Sequence, residues 1–170
     1  GGRAAVDGAM ASGLMSRLLK AGFGYDCSLK ILNSSMLFKS TDESLATVDV
    51  ASVDLYTGKT ELYKAGAAPT VLRHQGQPTV AEGSSLPAGI LRDISFDKSA
   101  VRLRLGDIVV LVSDGATSEG AEWIMAEIAD WQDGSAQDLA EHLCLCAKRR
   151  QNESRQDDIT VMCGILNKAV

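Results

Sequence analysis

Gly106-Asp107-Ile108-Val109-Val110-Leu111-Val112-Ser113-Asp114-Gly115 is the stretch on which the fold turns. Its apolar residues run without alternation, so the strand they predict is buried on both faces. The strand ends abruptly at Ser113-Asp114-Gly115, which places a carboxylate at its tip. A second acidic motif, Asp157-Asp158-Ile159-Thr160, opens the other strongly apolar strand, Ile159 to Leu166. Rigid strand backbone can aim such carboxylates into one cleft. Hard divalent cations take oxygen ligands of this kind. Gly115 would leave room for a ligand, or a water on a metal, to approach the backbone. The plain alternative is that Asp114 is a turn residue and Asp157 a loop residue, both common uses of Asp.

Outward from that strand the pattern divides into blocks. Arg3 to Ala21 reads as a helix with an apolar stripe of Leu14, Met15, Leu18 and Leu19, capped by Gly22. Asp26 is the candidate N-cap of a second helix over Cys27 to Phe38. Val- and Thr-rich Leu45 to Leu55 and Thr60 to Ala65 flank the turn Tyr56-Thr57-Gly58-Lys59. Thr70 to His74 and Pro78 to Ala81 form a hairpin around Gln75-Gly76-Gln77, and Phe96 to Leu103 is a further strand. Helices follow near Glu119 to Asp130 and from Ala136 to Arg150, then a polar loop from Gln151 to Gln156. Helices, a run of antiparallel strands, helices and a last strand make an α+β layout in one domain over residues 1–170. No internal repeat or linker divides it.

The bulk properties agree with a globular chain: 170 residues, 45% apolar and 23% charged. A net charge of -5 argues against a nucleic-acid partner. No apolar run reaches the roughly 20 residues that cross a bilayer, so no membrane contact is expected of this segment. Cys27, Cys144, Cys146 and Cys163 form no C-x-x-C pair and read as reduced cysteines of a cytoplasmic protein. His74 and His142 each stand alone in their segments and read as structural or solvated. There is no Walker A sequence and no G-x-G-x-x-G after a strand. A Cys-x5-Arg loop and a G-x-S-x-G elbow are absent as well.

Several further blocks lie along the chain. They are Gly2-Arg3-Ala4-Ala5, Ala46-Thr47-Val48-Asp49, Asp54-Leu55-Tyr56-Thr57-Gly58, Lys64-Ala65-Gly66-Ala67-Ala68-Pro69 and Leu86-Pro87-Ala88-Gly89-Ile90. With the two acidic motifs, their order and spacing give a specific likeness. The chain resembles the metal-dependent serine/threonine protein phosphatases of type 2C and, among them, the stage II sporulation protein E phosphatase domains. The resemblance implies an antiparallel β-sandwich flanked by helices, the αββα phosphatase fold, here without its N-terminal strands. It implies that Asp114 and Asp157 are metal ligands and catalytic residues. Gly115 and Asp158 would support them, Asp158 standing where the family often has Asn. The family's Asp-Gly-Met-Gly motif, which carries the metal-bridging Asp, is expected just upstream of Gly1. Asp7-Gly8 is a poor substitute, because it falls inside the first helical pattern.

The same resemblance implies two Mn²⁺ or Mg²⁺ ions that activate water for in-line attack on a phosphoserine or phosphothreonine, with no covalent intermediate. The implied substrate is a phosphorylated anti-anti-sigma factor type of regulatory protein, in a parent anchored to the membrane outside this chain. The alternative is a catalytically inactive phosphatase-like module that binds a regulatory protein. The first two helices are read as a regulatory or homodimer surface, against the simpler reading that they cover the sheet.

Overall fold

A computed structural model describes residues 2–39, 45–151 and 157–167. The elements in order are α1 (Gly2–Lys20), α2 (Tyr25–Lys39), β1 (Val48–Val53), β2 (Lys59–Ala65), β3 (Thr70–His74), β4 (Gln77–Ala81), β5 (Asp97–Arg102) and β6 (Ile108–Val112). A 3-10 turn (Asp114–Ala116), α3 (Glu122–Asp130), α4 (Ala136–Arg150) and β7 (Val161–Ile165) complete the chain. The strands form two antiparallel sheets, of order β1-β2-β5 and β4-β3-β6-β7. The α+β expectation is therefore met. The chain divides into two compact units, the first built on residues 1–50, 62–67 and 83–98, the second on the remainder.

In the first unit, α1 and α2 bury Ala11, Met15, Leu29, Leu32 and Met36 with Tyr63 and Ala88. Leu14 and Leu19 pack against the same cluster, so much of the α1 stripe is consumed by its own core. Gly22 ends α1 at φ 89°, a left-handed conformation that costs Gly nothing. That geometry lets the Phe23 N–H reach the Leu18 carbonyl (3.1 Å) and the Gly22 N–H reach that of Leu19 (3.0 Å). Asp26 is not the N-cap of α2. The helix begins a residue earlier, the Ser28 N–H bonds to the Gly24 carbonyl at 2.9 Å, and Asp26 lies in the first turn. There its charge still favours the helix N-terminus. Asn33, buried on α2, donates to the Leu91 carbonyl (2.9 Å) and accepts from the Gly89 N–H (2.8 Å), pinning that loop.

The second unit holds the sheet β4-β3-β6-β7. Its core joins Val71, Ile108, Val110 and Val112 to Ile124 and Ile128 of α3 and Leu139, Leu143 and Ala147 of α4. Each fully buried Ile or Leu contributes roughly 1.5–3 kcal/mol. The β3–β4 hairpin has a two-residue loop, Gln75-Gly76, with both φ positive, at 53° and 79°. This is the turn whose twist suits adjoining strands. The helix α3 starts at Glu122 rather than near Glu119, because Gly120 holds a left-handed turn just before it. Ser135 and Asp138 cap α4 reciprocally, and Lys148, Arg149 and Arg150 complement its C-terminal dipole.

Candidate functional site

The pairing of β6 with β7 decides where the acidic motifs meet. The strands run antiparallel, with Val112 opposite Val161. The residues following β6 and those preceding β7 therefore share one end of the sheet. Asp114 and Asp157 are brought together there, and both are exposed.

Backbone and side-chain bonds lace the two segments. The Ser113 N–H donates to the Thr160 carbonyl (3.0 Å), and the Thr160 N–H donates back to Ser113 Oγ (2.9 Å). Ser113 Oγ donates in turn to the Asp158 carbonyl at 3.1 Å. Gln151, at the end of α4, adds a clamp: its Nε2 lies 3.0 Å from the Gly115 carbonyl and 2.9 Å from that of Asp157. By sequence, Gln151 falls in a polar loop and has no evident role. Nothing in the local sequence marks it, since its partners are carbonyls from other segments.

Gly115 has a different role from the one its sequence suggested. A Cβ there would lie 2.5 Å from the Asp158 carbonyl oxygen and 3.4 Å from Asp157 Cβ. The space beside Gly115 is occupied by the second acidic segment, so Gly115 allows the two motifs to approach rather than leaving room for a ligand.

The carboxylates keep spare acceptor capacity. Asp114 Oδ1 accepts the Gly115 N–H at 3.1 Å, and Asp157 Oδ1 accepts the Asp158 N–H at 2.8 Å. The Oδ2 atom of each accepts no bond from a described residue. Short local bonds fix one oxygen of each group and leave the other for an external partner. An all-oxygen pair with this vacancy fits a hard divalent cation. A concavity of about 740 Å³ adjoins it, lined by Lys148, Gln151, Asp157, Asp158, Ile159 and Thr160. Asp7 is buried within α1, in keeping with its placement in the first helical pattern.

The histidines are not alone. His74 Nδ1 lies 2.7 Å from Asp107 Oδ2, at the opposite end of β6. His142 Nε2 lies 2.6 Å from Glu127 Oε2, with Cys146 Sγ 3.7 Å from the same nitrogen. Burial, and then the Glu127 charge, push the Cys146 thiol above its ordinary range, partly offset by Arg150 and Arg149. Sequence reasoning missed this cluster because Glu127 lies on another helix; the i, i+4 spacing of His142 and Cys146 was its one local sign.

The strand order and the helices beside it place the chain in the class of type 2C phosphatase folds. The PP2C phosphatase domain and a fragment of the regulatory domain of the cell fate determinant SpoIIE from Bacillus subtilis match it with a TM-score of 0.81 at 22% identity, covering 93% of this chain and 49% of that one. RsbX in complex with magnesium matches with a TM-score of 0.72 at 16% identity, covering 96% and 74%. These likenesses establish the fold. The chain belongs to the stage II sporulation protein E (SpoIIE) family, whose model matches residues 1–164. Stage II sporulation protein E of Bacillus subtilis (strain 168) is 25% identical over 156 residues, 88% of this chain. The chain spans 19% of that relative's length. Among the described residues, no helix is long and apolar enough to cross a membrane.

Proposed function

We propose that residues 1–170 belong to one phosphatase domain that hydrolyses phosphoserine or phosphothreonine on a regulatory phosphoprotein, of the anti-anti-sigma factor type, in the cytoplasm. The observation that carries the reading is the pairing of β6 with β7, which gathers two exposed, incompletely satisfied carboxylates at one sheet end. Asp114 and Asp157 would hold Mn²⁺ or Mg²⁺. A divalent cation supplies charge that polarises a phosphoryl oxygen and acidifies a water. The chain's own part is positional. The Gly115 and Asp158 N–H groups each hold one oxygen of the neighbouring carboxylate, Ser113 and Gln151 fix the distance between segments, and Lys148 puts a cation on the concavity wall. On the family resemblance, an Asp-Gly-Met-Gly motif would supply the further ligand of a two-metal centre. Leu14 and Leu19 pack inward, so a homodimer through the first two helices would rest on exposed residues such as Val6 and Phe23.

The test is Mn²⁺ binding to this chain, together with Mn²⁺-dependent hydrolysis of p-nitrophenyl phosphate and a phosphoserine peptide by a longer polypeptide that carries the motif. Asp114→Asn and Asp157→Asn are each expected to lower turnover on the order of 10²–10⁴-fold, the scale of several kcal/mol of metal-supplied stabilisation. Undiminished turnover in both variants would sink the assignment. Metal binding with no turnover of either substrate would favour the inactive binding module.

A further inference from the structure

The helices α3 and α4 carry a second group of potential ligands, on residues that take no part in the carboxylate site. Ile124 and Ile128 seat α3 in the core, and Leu139, Leu143 and Ala147 seat α4. Glu127 immediately precedes Ile128, His142 precedes Leu143, and Cys146 precedes Ala147. All three therefore stand one position off the buried stripe, along the rim of the seam between the helices. The i, i+4 spacing puts His142 and Cys146 one turn apart on the same face. Their side chains remain reachable: that of His142 is 41% exposed and that of Glu127 30%.

The geometry is close to what a tetrahedral ion requires. Zinc bonds of about 2.0–2.3 Å at tetrahedral angles separate ligand atoms by roughly 3.3–3.6 Å. Cys146 Sγ lies 3.7 Å from His142 Nε2 and 4.0 Å from Glu127 Oε1. The three ligand atoms fall within 4.8 Å of one another. The 2.6 Å contact between His142 Nε2 and Glu127 Oε2 must open by roughly 0.7 Å to meet that geometry. Rotation of the partly exposed Glu127 side chain supplies such a movement. Imidazole, thiolate and carboxylate together form a mixed N, S, O donor set. Such a set suits Zn²⁺ and discriminates against Mg²⁺ and Mn²⁺, which favour all-oxygen sites.

We propose that Glu127, His142 and Cys146 bind a zinc-class divalent cation that bridges α3 and α4, at a site separate from Asp114 and Asp157. Three protein ligands leave a fourth position for water or for a donor from a partner. Binding deprotonates the Cys146 thiol and breaks the His142–Glu127 hydrogen bond; the thiol proton passes to solvent, and the proton held between Nε2 and Glu127 is exchanged through solvent to Nδ1, which leaves a neutral imidazole with Nε2 free to ligate.

The test uses the full chain and its Asp114→Asn/Asp157→Asn double variant, which removes the carboxylate ligands. Co²⁺ is titrated as a spectroscopic probe. The expected result is a thiolate-to-cobalt charge-transfer band that saturates at one equivalent in both proteins and is bleached by Zn²⁺. Cys146→Ser should abolish the band, and His142→Gln or Glu127→Gln should each weaken Co²⁺ binding by at least about 10-fold. Zn²⁺ should also protect Cys146 from iodoacetamide, read residue by residue by peptide mass spectrometry. This last arm needs no folded variant. Equal alkylation of Cys146 with and without Zn²⁺, no charge-transfer band, or a band that survives Cys146→Ser would each overturn the proposal.

Discussion

Asp107 and Asp114 flank the same buried strand, β6, yet their surroundings differ. Asp107 is 3% exposed and both its carboxylate oxygens are engaged. Oδ2 receives the Arg104 N–H (2.7 Å) and His74 Nδ1 (2.7 Å), and Oδ1 receives the Gln75 N–H (2.8 Å). Gln75 Nε2 lies 2.8 Å from His74 Nε2, so the two bonds together require the His74 tautomer with its proton on Nδ1. That network holds Gln75 in its left-handed turn position and closes the β3–β4 hairpin over the strand. Asp114, by contrast, is exposed and accepts one side-chain bond, from the next residue's amide. A carboxylate with both oxygens engaged fastens a turn. One with a vacant oxygen, on a segment that other bonds hold still, can take a cation. The residue type is the same at both ends, and what differs is how many of its acceptor sites the fold occupies.

The sharpest attack on this contrast, after the substitutions at the proposed ligands Asp114 and Asp157, is Gly115→Ala. The new methyl would meet the Asp158 carbonyl, a backbone atom that cannot move without parting the acidic segments. A loss of about 2–3 kcal/mol in stability is expected from such overpacking. Urea unfolding and Mn²⁺ titration read the two consequences separately. Metal affinity should fall with stability, because the displaced segment carries Asp157. An unchanged Mn²⁺ affinity would show that the close approach does not position the ligands.

Asp107→Asn tests the opposite end. One carboxylate oxygen becomes an amide nitrogen, which must then face an N–H donor. The loss of a charged acceptor should cost about 2 kcal/mol, while Mn²⁺ affinity stays put. The effect also carries a pH signature. Burial pushes the Asp107 carboxyl up, but the Arg104 and Gln75 amides and His74 outweigh it and leave it below the ordinary carboxylate range. A depressed folded value means that the stabilisation is complete above the ordinary range and is lost as pH falls through the folded value. The gap in stability between the native chain and Asp107→Asn should therefore narrow as pH drops from about 5. A gap independent of pH would mean that packing, not the charge, is what the substitution removes.

Much of this was legible in the chain because local rules and tertiary demands agree. The unbroken apolar run at Ile108–Val112 coincides with β6 end to end, and Ala136–Arg150 carries its own caps. Gly22 punctuated α1 where a left-handed residue was needed. Disagreement arose where the deciding partner is distant in sequence. Asp26 has the chemistry of a cap, but the helix it opens starts one residue earlier. Gly115 invited a ligand on paper, and the strand pairing filled that space with Asp158. Gln151 and the Glu127–His142–Cys146 group owe their placement wholly to packing, which no spacing along the chain discloses. The acidic motifs themselves were visible, since strand ends are written locally and antiparallel neighbours bring such ends together.

The smallest expected effect concerns the residue beside Asp157, the second proposed ligand. Asp158 contributes its backbone to the site: its carbonyl accepts from Ser113 Oγ and its N–H donates to Asp157 Oδ1. Among the described residues, its side chain makes none of the bonds that lace the segments together. Asp158→Asn keeps the backbone and the size of the side chain while removing a charge from the concavity wall. Exposed charges near a cation act through water and are screened by salt. Mn²⁺ affinity should therefore change by no more than about 3-fold at physiological ionic strength, and less as salt is raised. The same substitution one position earlier, at Asp157, should remove binding. If both substitutions weakened Mn²⁺ equally, the ligand role would be shared across the pair, and the Asp158 N–H that fixes one oxygen of Asp157 would not be what sets that carboxylate apart from its neighbour.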